Sequence, residues 1–213
     1  MKLFYRISRS LFSAYFRVFY GHQVYGTEHL INGRAILAPN HASFFDPPLV
    51  ASSSSEEISF LARKSLFKFP IFGTMIRSLN AHPVSGGSDD LGSFKLICRL
   101  LSEDKKVVIF PEGHRTSDGM LGEVKSGIAM LAFRCHAPII PVYIGGTFDV
   151  WNKMEKLPRL KGQTVCVFGS AIFPEKYENL EKKQAQEAMS KDVKTSIAKL
   201  KSWYENGAAG TPP

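Results

Sequence analysis

Five short apolar runs limit what this chain can become. Ala35–Pro39, Ile58–Ala62, Lys106–Phe110, Ile139–Ile144 and Thr164–Phe168 each span five or six residues. That length suits buried strands better than helices. Between them lie Pro70–Leu79, Leu91–Leu101 and Ser126–Cys135, whose apolar residues recur at helical spacing, and Leu180–Tyr204 extends the pattern. His22–Gly26 and Asn80–Val84 read as shorter extended pieces. Strands alternating with helices predict an α/β fold, a mainly parallel sheet flanked by helices. No internal repeat or linker interrupts the pattern. Residues 21–206 are therefore expected to form a single α/β domain, with 207–213 as a disordered tail.

Residues 1–20 stand apart from that alternation. At about 100° per residue, Phe4, Ile7, Leu11, Tyr15 and Val18 share one helical face. Lys2, Arg6, Arg9, Ser13 and Arg17 share the opposite one. The apolar run is well short of the roughly 18 residues a span needs. Arginines interrupt it and no small-residue cleavage site follows, so a signal peptide is not expected. The pattern predicts an amphipathic helix lying in a membrane interface. A terminal helix packing its apolar face on the domain is the alternative.

Charge supports the first reading. The chain carries 27 Lys and Arg against 19 Asp and Glu, a net +8. Residues 1–20 supply four of those cations and no acid. A basic balance points to anionic partners. Its concentration on a helix with an aromatic face, without any nucleic-acid motif, favours a phospholipid surface over nucleic acid. Three widely spaced cysteines, Cys98, Cys135 and Cys166, make neither a disulfide framework nor a zinc site.

Two polar motifs follow strand ends: Asn40–Pro48 and Phe110–Thr116. Ligands of parallel sheets bind there. On one straight helix His41 and Asp46 would point roughly 140° apart. They can meet if His41 lies in a loop and Asp46 opens the next helix, as its cap and ahead of Pro47. Asp46 would then accept from one imidazole nitrogen, leaving the other to deprotonate a hydroxyl attacking a carbonyl. Capping alone would also account for Asp46. No G-x-S-x-G is present, so direct transfer to a substrate hydroxyl is expected, without an acyl-enzyme. In the second motif Gly113 permits a tight turn, and the fork of Arg115 suits phosphate. Glu112 could orient that Arg or accept from a substrate hydroxyl, and Lys125 is a second candidate for the anion. An ordinary surface Glu–Arg pair is the plain alternative.

Asn40-His41-x4-Asp46, then Phe110-Pro111-Glu112-Gly113-x-Arg115, then Ile140-Pro141-Val142 resemble, in order, blocks of the glycerolipid acyltransferase family. The resemblance covers about residues 22–170. It implies that His41 is a general base with Asp46 as its charge-relay partner. It implies that Glu112, Gly113 and Arg115 belong to the segment that binds the phosphate of a lysophosphatidic acid acceptor. Ile140–Val142 would lie near the acyl donor, a thioester of coenzyme A or acyl carrier protein. Neither metal nor bound cofactor is implied, and the expected location is the cytoplasmic face of a membrane, peripheral or monotopic. Two positions depart from the family pattern. His114 and Thr116 flank Arg115 where Thr and Ser are common, and Gly86 stands where the second block usually has Arg. One phosphate contact is then either missing or provided by Arg77 or Lys125. Glycerol 3-phosphate or another lysophospholipid is an alternative acceptor, and a basic membrane-binding protein without catalysis the alternative class.

Overall fold

The computed structural model describes residues 3–85 and 91–213. Its elements are α1 (Leu3–Tyr20), β1 (Gln23–Tyr25), β2 (Ala35–Pro39), α2 (Asp46–Ser53), β3 (Ile58–Arg63), α3 (Pro70–Ser78) and β4 (Ala81–Val84). There follow α4 (Leu91–Ser102), β5 (Lys106–Val108), α5 (Gly127–Cys135), β6 (Ile139–Gly145), α6 (Thr147–Trp151), β7 (Val165–Phe168) and α7 (Lys182–Glu205). The strands form one sheet in the order β1-β7-β6-β2-β5-β3-β4. Every neighbouring pair is parallel except β6 and β7. The mainly parallel α/β sheet expected from the apolar runs is the one found.

Strand β2 lies between β5 and β6 and is buried along its whole length. Its side chains alternate between the two faces of the sheet. Ile36 and Ala38 join a core with Leu100, Ile128, Val193 and Leu200, drawn from α4, α5 and α7. Ala35 and Leu37 join the other core, with Phe16 of α1 and Leu49 of α2. A strand covered on both faces reads as a continuous apolar run, which is why these segments were legible.

Helix α1 docks through a face that neither reading had singled out. Tyr5, Phe16 and Tyr20 are buried against the domain. Phe4, Ile7, Leu11 and Val18 remain 49%, 51%, 66% and 76% exposed. The helix thus has two apolar faces, one docked and one free. Arg9, expected on the solvent-facing basic side, instead donates to the Ser54 carbonyl at 2.8 Å. Among the described residues no helix is long and apolar enough to cross a membrane.

Two expectations need correction, and a third falls outside the described residues. Strand β5 stops at Val108, although the Ile109 N–H still reaches the Leu37 carbonyl at 2.9 Å. The chain then leaves the sheet and carries Phe110 towards His41. The tail 207–213 is not loose. Trp203 Nε1 donates to the Ala209 carbonyl at 3.0 Å, and the Pro212 carbonyl lies 3.0 Å from His29 Nε2. Gly86, with the family departure it represents, lies outside the described residues.

Candidate active site

The loop after β2 brings His41 and Asp46 together. His41 Nδ1 lies 2.8 Å from Asp46 Oδ2. Asp46 is the first residue of α2, not its cap, and its carboxylate points back into the loop. Oδ2 also accepts from the N–H groups of Ala42 and Ser43, both at 2.7 Å. Oδ1 accepts from the Thr147 hydroxyl at 2.7 Å. A completely buried carboxylate with four donors stays fixed, and so fixes the imidazole. Pro47 and Pro48 cost nothing here, because the first turn of a helix has no N–H to satisfy internally.

The imidazole is held on its other sides too. It stacks on Phe110 with ring centroids 3.8 Å apart and planes 22° apart. Its backbone N–H donates to Glu112 Oε1 at 2.9 Å, and its carbonyl accepts from Thr116 N–H at 2.9 Å. Nε2 has no hydrogen-bond partner among the described residues, and the side chain is 17% exposed. One nitrogen is therefore oriented and the other left open, the arrangement a general base needs.

Glu112 makes contacts that neither expectation named. Its buried carboxylate spans two loops, accepting from His41 N–H and, through Oε2, from Gly122 N–H at 3.1 Å. Burial raises its pKa, and those two N–H groups partly offset the rise. It holds the His41 backbone, and among the described residues it makes no ion pair to Arg115.

Arg115 lies over the ring of Phe44, 3.6 Å from guanidinium carbon to centroid. Its Nη1 is buried without a partner. Desolvation, reinforced by the nearby charge of Arg63, lowers its pKa, while Asp46 pulls the other way. A partly dehydrated guanidinium with an unused N–H beside a second cation has the chemistry to receive an anion. Gly113 has φ +76, and a Cβ there would come within 2.9 Å of Lys125 Nζ. Gly113 and Lys125 thus adjoin. His114 is exposed and turns back to its own loop, with Nδ1 3.1 Å from the Glu112 carbonyl. Arg77 is committed elsewhere, stacked 4.8 Å from the Phe67 ring.

Several residues contribute in ways the sequence did not signal. Thr147 lies 101 residues from Asp46. Asn40 continues the sheet with its amide, giving to the Ile144 carbonyl at 2.9 Å and accepting from its N–H at 2.7 Å. Arg63 ends β3, and only its effect on Arg115 connects it with the site. Phe44 occupies a variable position of the first motif. Among the described residues no group of three His, Cys, Asp or Glu is placed to hold a metal ion.

Known proteins share this arrangement of sequence and fold. The curated 1-acyl-sn-glycerol-3-phosphate acyltransferase of Limnanthes alba is 31% identical over 138 residues, 62% of this chain and 47% of that protein. The chain spans about half the length of that and similar plant relatives. The 1-acyl-sn-glycerol-3-phosphate acyltransferase of Bacillus subtilis (strain 168) is 26% identical over 182 residues, 84% of this chain and 88% of that protein. The crystal structure of the 1-acyl-sn-glycerophosphate (LPA) acyltransferase PlsC from Thermotoga maritima superimposes with a TM-score of 0.74 at 23% identity. It covers 93% of this chain and 78% of its own, and so shares the fold. The family model Acyltransferase matches residues 21–145, more than half of the sequence, and spans both polar motifs. The chain belongs to the acyltransferase family.

Proposed function

We propose that this protein moves a fatty acyl group from a thioester to the free hydroxyl of a lysophosphatidic acid, giving phosphatidic acid for phospholipid synthesis. The observation that carries the reading is the 2.8 Å contact of His41 Nδ1 with Asp46 Oδ2, which leaves Nε2 open. His41 Nε2 takes the hydroxyl proton as the acceptor oxygen attacks the thioester carbonyl. Asp46 holds the tautomer and stabilises the imidazolium that forms. When the tetrahedral intermediate collapses, the C–S bond breaks and the leaving thiolate takes the proton back from His41. The thioester is that of coenzyme A or of acyl carrier protein, and no resident cofactor or metal enters the scheme.

Arg115, with Lys125 and Gly113 beside it, holds the acceptor phosphate. The stack of Arg115 on Phe44, which lies in the loop between His41 and Asp46, supports placing that phosphate close to the base. The free apolar face of α1 rests in a leaflet, making the protein peripheral on the cytoplasmic face of a membrane. The names of the relatives support the choice of acceptor.

An acceptor panel tests the proposal. Lysophosphatidic acid, glycerol 3-phosphate and lysophosphatidylcholine would each be assayed with both donor types. The highest kcat/KM is expected for lysophosphatidic acid. A preference for lysophosphatidylcholine, whose phosphate is capped as a diester, would contradict the assigned role of Arg115.

A further inference from the structure

The segment between α6 and β7 carries an exposed surface that the acyl-transfer scheme does not use. Residues 152–162 hold Lys153, Lys156, Arg159 and Lys161 against a single acid, Glu155. Interleaved with them are Met154, Leu157 and Leu160, exposed to 79%, 77% and 80%. These three recur every third residue and all face outward.

The loop is built to hold them there. Met154 N–H donates to Asn152 Oδ1 at 2.9 Å, and Trp151 Nε1 to the Glu155 carbonyl at 3.2 Å. Arg159 N–H returns to the Val150 carbonyl at 2.9 Å. Two further contacts locate the loop. Tyr20 at the end of α1 donates its hydroxyl to the Arg159 carbonyl at 2.9 Å. Lys153 Nζ donates to the carbonyl of Arg115 at 3.4 Å. The loop thus joins the end of the half-exposed helix to the residue assigned to the acceptor phosphate.

We propose that residues 152–162 are a second membrane-contacting element, which dips Met154, Leu157 and Leu160 into an anionic phospholipid surface beside the site. The inference rests on the membrane-surface reading of the protein. Single apolar side chains spread among lysines suit an interface where Lys stems snorkel towards headgroups. A protein partner would be better served by a concave pocket for a central anchor. Two contacts, α1 and this loop, would fix the tilt of the domain as well as its attachment.

The test compares full-length variants in vesicle sedimentation, using phosphatidylcholine and phosphatidylglycerol in equal parts, and phosphatidylcholine alone. One variant combines Met154→Ser, Leu157→Ser and Leu160→Ser; another combines Leu11→Ser and Val18→Ser in α1. The loop variant is expected to keep its thermal melt and to bind mixed vesicles at least about tenfold more weakly. Lys153→Gln with Lys156→Gln should reduce the preference for mixed over neutral vesicles. Wild-type binding by the loop variant, with loss in the α1 variant, would overturn the loop assignment and leave the membrane reading standing. Wild-type binding by both would overturn both. A raised KM for the acyl carrier protein thioester alone, with vesicle binding intact, would assign the loop to that acidic protein instead. Should the triple variant melt early, Leu157→Trp replaces it. Quenching by brominated lipid beyond that of the native tryptophans is expected, and its absence would overturn the proposal.

Discussion

Four donors converge on Asp46, and their arrangement predicts how its substitutions differ. Asparagine can keep Oδ1 towards His41, Ala42 and Ser43 while its amide faces the Thr147 hydroxyl, which can turn to accept. Asp46→Asn should therefore fold, losing about 1–2 kcal/mol in denaturant unfolding. It can no longer stabilise an imidazolium, so kcat should fall by roughly 10²–10⁴. Asp46→Ala leaves buried N–H groups unpaired and should cost about 3 kcal/mol or more. Glu112→Gln presents an NH₂ to one of two backbone donors and should destabilise by about 1–3 kcal/mol, with a fall in kcat because His41 shifts. Arg115→Lys keeps the charge but loses the fork and the stack on Phe44. A KM for lysophosphatidic acid raised about 10–100-fold, with kcat little changed, is the expected result in steady-state assays. The motif residues themselves were legible, because His41, Asp46 and Arg115 sit at fixed spacings after strands. The role of Glu112 was not. A carboxylate that grips two loops and one that meets a substrate look alike in sequence, and only the distances separate them.

Helices and loops fix where these groups stand. Deleting α1 would strip Tyr5, Phe16 and Tyr20 from the core, so such a truncation should aggregate and report little about lipid. Leu11→Ser and Val18→Ser remove only exposed surface. They should leave the melting temperature within a few degrees while weakening vesicle binding about tenfold. The period of α1 was plain from its sequence, but its docking face was not. Tyr5, Phe12, Phe16 and Tyr20 form a second stripe, in which Phe16 and Tyr20 meet Phe45, itself packed on Trp151. A helix with two apolar stripes gives one strong period and no sign of which stripe packs. The α6 turn and the ordered loop after it were illegible for a related reason. Their bonds run to Tyr20, Arg115 and Asp46, all distant in sequence.

Across the whole molecule, the sheet order places the ends of β2, β5 and β6 side by side, so one edge gathers His41, Phe110 and Asn40. Alternating strands and helices predicted that edge, whereas the reversal of β7 and the register of the pairs depend on contacts that no local pattern carries. His22 ties this body together, sitting between Thr164 Oγ1 at 3.0 Å and Ser53 Oγ at 2.8 Å. Burial depresses its pKa from 6.5 to about 4. Since the folded value lies below the unfolded one, its contribution is complete above pH 6.5 and is lost as pH falls towards 4. Unfolding free energies over that window should drop by roughly 3 kcal/mol more for the wild type than for His22→Gln.

The central claim is that His41 takes the acceptor proton. Its direct test is His41→Ala in the purified full chain, assayed with labelled acyl donor and lysophosphatidic acid. A folded protein whose kcat is reduced about 10²–10⁴-fold is predicted. A folded variant that retains wild-type turnover would contradict it.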